Sequence, residues 1–141
     1  MAATRLIAIV GKPSVGKTTL RLALAAEFAR RRLRVMTIAE DAHPPGLDPL
    51  ALARRHLESA DLVLVEGFAD ARVPKIEVYR TACGPDPLFD AERVNAADWV
   101  AMVTDNHAFR APFPVFRFTD TSWLVTLANL AWDRAKVLTP G

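Results

Sequence analysis

Residues 5–20, "RLIAIVGKPSVGKTTL", decide the fold. The run from Arg5 to Val10 is apolar and rich in β-branched residues, the pattern of a parallel strand buried on both faces. Gly11-x-x-x-x-Gly16-Lys17-Thr18 follows at once, the spacing of a phosphate-binding loop. Behind it, "KTTLRLALAAEFARRR" (17–32) is built from good helix formers, with Leu20, Leu24 and Phe28 four residues apart. A strand, a glycine-bounded loop and a helix in that order bring free backbone amides and the helix dipole together on an anion.

The expected phosphate contacts are therefore Gly11, Ser14, Val15, Gly16, Lys17, Thr18 and Thr19. Backbone N–H groups of residues 14–18 would cradle phosphate oxygens, although Pro13 has none to offer. Lys17 would reach the β- and γ-phosphates, and the Thr18 hydroxyl would ligate Mg2+. Lys12 has two readings. It is a solvated loop lysine, or it reaches a partner's phosphates as in the deviant loops of dimeric ATPases, which carry glycines where Pro13 and Ser14 stand here. Arg30, Arg31 and Arg32 read as cations favouring a helix C-terminus rather than a nucleic-acid patch.

Outward from this unit, strands and helices alternate. "LRVMTIA" (33–39) reads as a second strand, and "EDAHPPGLD" (40–48) as a turn-rich loop. Asp48 can cap a helix that starts at Pro49 and is filled by "PLALARRHLESA" (49–60). Further strands are expected at 61–68, 75–80, 99–105 and 113–118, with a long connection at 81–98 that little pins down. "DTSWLVTLANLAWDRAKVL" (120–138) closes the chain as an amphipathic helix that Asp120 or Thr121 can cap. Its Trp123, Leu127, Leu130 and Trp132 are expected to pack on the sheet. The whole chain, 1–141, reads as one α/β domain, a three-layer α/β/α P-loop NTPase with a mostly parallel sheet.

Bulk properties bound the function. The 141 residues suit a single domain, and 18 Lys+Arg against 16 Asp+Glu leave a net charge of only +2, too slight to argue for a nucleic-acid partner. Cys83 is the only cysteine, so neither an intrachain disulfide nor a cysteine metal cluster can form. No apolar run approaches the roughly 18 residues that a membrane span needs, and the N-terminus runs straight into the phosphate loop. A cytoplasmic protein is the simplest expectation.

Four carboxylates sit where an open α/β sheet binds ligands, at the carboxyl ends of its strands. Glu66 ends the third strand, and it can hold Mg2+ directly or through water, as the acidic partner of Thr18. Gly67 beside it would let the backbone approach a γ-phosphate. Asp41, with Glu40, is a rival metal ligand on the same edge, and His43 reads as a loop residue. Asp105, in "VTDN", could accept the N1 and N2 hydrogens of guanine, or it is a turn aspartate.

A strand ending Val65-Glu66-Gly67-Phe68, a short polar segment, then Pro74-Lys75-Ile76-Glu77-Val78 and Arg80 resembles the MobB family, the molybdopterin-guanine dinucleotide biosynthesis accessory proteins. The resemblance extends to the front strand and loop, to "WVAMVTDN" and to the last helix. It departs from the family after the second strand, where "EDAHPPGLDPLALARRH" stands in place of a histidine-rich segment. The resemblance implies a P-loop protein that binds GTP with Mg2+, hydrolyses it slowly, forms a homodimer and assists the guanylyltransferase that joins GMP to molybdopterin. It implies that Gly16, Lys17 and Thr18 hold phosphate and metal, that Glu66 and Gly67 form the acidic strand end, and that Lys75 lies near the site, unless it is an edge-strand lysine that discourages aggregation. Lys17 and Glu66 are then the residues expected to carry catalysis. With no water-orienting residue and no arginine finger in the sequence, slow turnover is expected.

Other classes stay open. A small-molecule kinase using ATP would need an arginine-bearing lid, and 81–98 holds only Arg93. A regulatory GTPase would carry Asp-x-x-Gly and Asn-Lys-x-Asp, where this chain has Val65-Glu66-Gly67 and Thr104-Asp105-Asn106. A non-enzymatic, nucleotide-dependent interaction module would keep the same loop.

Overall fold

A computed structural model describes residues 3–120 and 122–139. The first strand, β1 (Arg5–Val10), lies at the centre of a seven-stranded sheet. Around it are β2 (Val35–Ala39), β3 (Leu62–Glu66), β4 (Lys75–Tyr79), β5 (Trp99–Thr104) and β6 (Val115–Arg117), in the order β2-β3-β1-β4-β5-β6 and all parallel. A two-residue strand, β7 (Lys136–Val137), pairs antiparallel with the start of β1. Parallel register aligns the carboxyl ends, with Ile9 opposite Glu66 and Val10 opposite Glu77.

Alternation along β1 splits the core in two. Ile7 and Ile9 face α1 (Lys17–Arg30) and α3 (Trp123–Arg134), where Leu20, Leu24, Phe28 and Leu127 are buried. The Phe28 and Trp132 rings meet with centroids 6.4 Å apart. Leu6, Ala8 and Val10 face the opposite side, beneath the five-residue α2 (Pro49–Ala53) and the irregular segments on either side of β4. The expected α/β class with a mostly parallel sheet holds. The second covering layer is thin, because α2 gives way to a 3-10 turn at Arg54–His56 instead of running to residue 60. Asp48 caps α2 as expected, its Oδ1 accepting the Leu50 N–H at 3.0 Å.

Both ends of the other helices repay attention. The Glu27 carboxylate accepts hydrogen bonds from Arg30 and Arg31, which hold its pKa down to about 2. Arg31 also donates to Asn129 of α3 at 2.8 Å, so the basic cluster ties two helices together. The α3 N-cap is Ser122, with no side-chain cap bond, so Asp120 does not serve as the cap; Thr121 lies outside the described residues. The helix stops at Arg134 because the chain turns extended at Ala135 to form β7, a pairing too short to leave a sequence pattern.

Candidate functional site

The loop between β1 and α1 is forced by sterics at two glycines. A Cβ on Gly11 would lie 2.7 Å from both Val15 Cγ1 and the Val78 carbonyl oxygen, so no side chain fits there. Gly16 has φ of 105°, a conformation that L side chains rarely adopt, and it directly precedes α1. Ser14, at φ 64°, takes the left-handed turn between them, and Val15 is buried as the loop's apolar anchor. Among the described residues, no protein acceptor meets the amides of Gly16, Lys17 and Thr18. Those are the orphan donors of a helix start. Thr19 follows them on the first turn of α1.

Pro13, Ser14, Gly16, Lys17, Thr18, Asp41 and Glu66 line one cavity of about 480 Å3 at the carboxyl edge. Of the residues expected from the sequence, Ser14, Gly16, Lys17, Thr18, Asp41 and Glu66 line this cavity, whereas Gly11, Lys12, Val15, Thr19, Gly67 and Asp105 do not. A cleft of about 570 Å3 opens beside it, between the 40–50 and 68–72 loops, but no phosphate-loop residue lines it.

The metal-side geometry is specific. The Thr18 hydroxyl donates to Glu66, at 3.0 Å from Oε1 and 3.2 Å from Oε2. With its proton spent on Glu66, its lone pairs are left for a cation. Arg21, one helical turn further along α1, donates its Nε to Glu66 Oε1 at 3.1 Å. This guanidinium was not foreseen from the sequence, where an arginine in a helix carries no signal of what it faces. Among the described residues no group of three His, Cys, Asp or Glu side chains could hold a metal ion. A hard cation at Thr18 would therefore take further oxygens from phosphate and water, as Mg2+ commonly does. The residues fit that ion.

Other expected residues have their own partners. The Gly67 amide donates to the Ile9 carbonyl at 2.8 Å, and the Glu40 side chain lies over its Cα. Lys12 places its Nζ against Gly84, 2.9 Å from where a Cβ of that residue would be. Asp105 Oδ1 accepts the Thr81 N–H at 2.9 Å, a bond that ties the end of β5 to the segment after β4, not one within a local turn. His43 follows a 3-10 turn after β2 and is not among the residues lining the cavity.

Lys75 departs most from expectation. It sits on β4, a central strand and not an edge, and it is fully buried. Its ammonium donates to the Ala71 and Val73 carbonyls and lies 5.5 Å from the Trp99 ring centroid. Desolvation by burial lowers its pKa to about 8. Two residues on, Glu77 is buried as well and accepts from Leu88 N (2.6 Å), Phe89 N (2.9 Å) and Trp99 Nε1 (3.0 Å). Burial raises its pKa despite these bonds. The 81–98 connection is thus pinned after all, by Glu77 and by Arg93, which donates to Asp70 at 2.7 Å.

Residues 48–105 match the sequence model of a family described as MobB, molybdopterin guanine dinucleotide synthesis protein B. That span contains 62–80, and the resemblance drawn from those residues is borne out. Solved structures share the fold over nearly the whole chain. A MobB protein homolog from Bacillus stearothermophilus is 24% identical, with 92% of this chain and 99% of that one covered and a TM-score of 0.62. Bacillus subtilis MobB is 16% identical over 89% of this chain and 97% of that one, at a TM-score of 0.66. A third structure, described as molybdopterin-guanine biosynthesis protein B, is 21% identical over 91% and 97%, at 0.62. No curated protein sequence matches the chain. No helix among the described residues is long and apolar enough to cross a membrane.

Proposed function

We propose that this chain, with its MobB segment at residues 48–105, is a nucleotide-dependent accessory protein of molybdopterin guanine dinucleotide synthesis that binds GTP with Mg2+. The observation that carries this reading is the Thr18–Glu66 hydrogen bond at the mouth of the Gly11–Thr18 loop. It sets a hydroxyl lone pair, a carboxylate and the helix amides around one cavity. In this reading the amides of Gly16 to Thr18 bind the phosphate chain and the Lys17 ammonium meets its terminal oxygens. Mg2+, when bound, supplies neutralisation of the charge that develops on the phosphates. Glu66 orients the Thr18 hydroxyl, and Arg21 holds Glu66 in place.

Turnover is slow in this reading, below about 1 s-1, because nothing but positioning and charge acts on the attacking water. The client is a guanylyltransferase-like protein, and the protein works in the cytoplasm as a homodimer or through that partner. Lys12, lying against its own Gly84, supports the loop-lysine reading over contact with a second subunit. Asp105 is the candidate guanine reader, through the carboxylate oxygen that Thr81 does not use.

A kinase lid finds little support. Arg93, the one arginine of the 81–98 connection, stacks over Trp99 at 5.1 Å and pairs with Asp70. Titration with fluorescent GTP and ATP analogues, with and without Mg2+, tests the proposal. Tighter binding of GTP that requires Mg2+ is expected, and a clear preference for ATP would overturn it.

A further inference from the structure

The phosphate loop is braced by the arginine that closes the strand pattern Pro74–Arg80. Arg80, which directly follows β4, donates its Nε to the Val15 carbonyl at 2.8 Å, across 65 residues of chain. Its guanidinium carbon lies over the Phe118 ring, 4.1 Å from the centroid. The group also meets Gly16, where Nε and Nη2 stand 3.6 Å from a would-be Cβ. The turn that Arg80 begins is itself fixed, with the Cys83 amide donating to the Arg80 carbonyl at 2.9 Å and the Thr81 amide to Asp105. Arg80 is therefore a rigid post and not a mobile surface side chain.

In a planar trans peptide, C=O and the following N–H point in opposite directions. The Val15 carbonyl points to Arg80, so the Gly16 N–H points away from it, and among the described residues that N–H has no protein acceptor. Without a fixed acceptor-side partner, a peptide between left-handed Gly16 and its neighbour is free to flip, because glycine tolerates either orientation. A flip would aim a carbonyl oxygen at the anion.

We infer that Arg80 is a positioning residue for nucleotide binding, holding the Val15–Gly16 peptide so that its amide serves the phosphate. It acts through the loop backbone and touches no ligand atom. The inference rests on the nucleotide-binding reading above and adds a residue that neither the loop motif nor the metal side supplies.

The test separates the hydrogen bond from the charge. In Arg80→Gln the side-chain amide nitrogen occupies the place of Arg Nε, keeping the donor and losing the charge; Arg80→Met keeps the length and loses both. Affinity for a fluorescent GTP analogue with Mg2+ is expected to fall about tenfold in Arg80→Met, the worth of one hydrogen bond of typical strength. Arg80→Gln is expected to stay within about threefold of wild type. In the 15N spectrum of the ligand-free protein, the Gly16 amide should move in Arg80→Met and hold in Arg80→Gln, with thermal melting confirming that both are folded. Equal losses in the two variants would assign the effect to charge and overturn the inference, as would a Met variant that binds like wild type. If wild type binds neither GTP nor ATP analogues, the nucleotide reading falls and this inference with it; if wild type binds and Arg80→Met matches it, only this inference falls.

Discussion

Two lysine–glutamate pairs occupy opposite environments in this chain. Lys17 and Glu66 lie at the carboxyl edge of the sheet, lining a cavity. Lys75 and Glu77 lie on the face of a central strand, with none of their surface exposed. At the edge, Glu66 is met by a hydroxyl and a guanidinium, both side chains with alternatives in solvent. On the face, Glu77 satisfies two part-buried backbone amides and a buried indole. In the proposed function the same residue types thus serve a ligand in one place and the architecture in the other. Removing the edge pair should cost binding and spare stability; removing the buried pair should do the reverse.

The largest break in that comparison is Glu77→Ala. Three buried donors would lose their acceptor at once, at about 1–3 kcal/mol for a buried group left unsatisfied. With partial relaxation, a loss of about 4 kcal/mol in urea unfolding is expected. Nucleotide affinity of the fraction still folded should be unchanged. A variant that unfolds like wild type would show that the 88–89 amides find other partners.

Lys17→Ala comes next and inverts the pattern. Loss of its contact with the terminal phosphates should weaken binding about 100-fold, equivalent to about 2.7 kcal/mol. The melting temperature of the ligand-free protein should not fall, because no hydrogen bond within the protein depends on Lys17 among the described residues. A drop in both quantities would erase the distinction between the two pairs.

Glu66→Ala and Arg21→Ala sharpen the edge itself. Without Glu66 the Thr18 hydroxyl loses its acceptor, and the Mg2+ concentration that half-supports binding should rise about tenfold, or about 1.4 kcal/mol. Arg21→Ala should raise it by a smaller factor, about threefold, since Glu66 keeps its bond to Thr18. An unchanged Mg2+ requirement in Glu66→Ala would remove that carboxylate from the metal side.

The two regions also differ in how far the sequence discloses them. The proposed phosphate loop is local: its glycines, Lys17 and Thr18 lie within eight residues, at the spacing that phosphate binding requires. Glu66 was legible because it ends an apolar strand beside a glycine. Arg21 was not, and Arg80 was legible only as the end of the Pro74–Arg80 pattern, because a helix position and a strand end say nothing of a partner 45 or 65 residues away. "KIEVYR" alternates in strand fashion, yet Lys75 and Glu77 are both buried, Lys75 against the Ala71 and Val73 carbonyls and Glu77 beneath the 81–98 connection. That connection looked unanchored because its anchors are backbone amides of Leu88 and Phe89, which every residue possesses. The fold class needed only the strand–helix alternation, whereas the thin second layer depended on α2 stopping at Ala53.

The smallest effect is a pH dependence, and its sign distinguishes a buried lysine from an edge one. Lys75 keeps its proton in the unfolded chain up to about pH 10.4. In the folded protein burial brings its pKa to about 8, with Asp98 and Asp70 favouring the charge and Arg93 and Arg72 opposing it. Between those values the unfolded state binds more protons, so stability must rise with pH across the window. From pH 8 to 9 the gain should be about 1 kcal/mol, because the limiting slope is 1.36 kcal/mol per pH unit. Other groups titrate in the same range, so the quantity to measure is the difference in unfolding free energy between wild type and Lys75→Met. That difference should move toward wild type as pH rises from 8 to 9. A difference that stays flat would mean that Lys75 titrates as an exposed lysine does, and that the polar pair on β4 is not sealed from water as the pair at the edge is open to it.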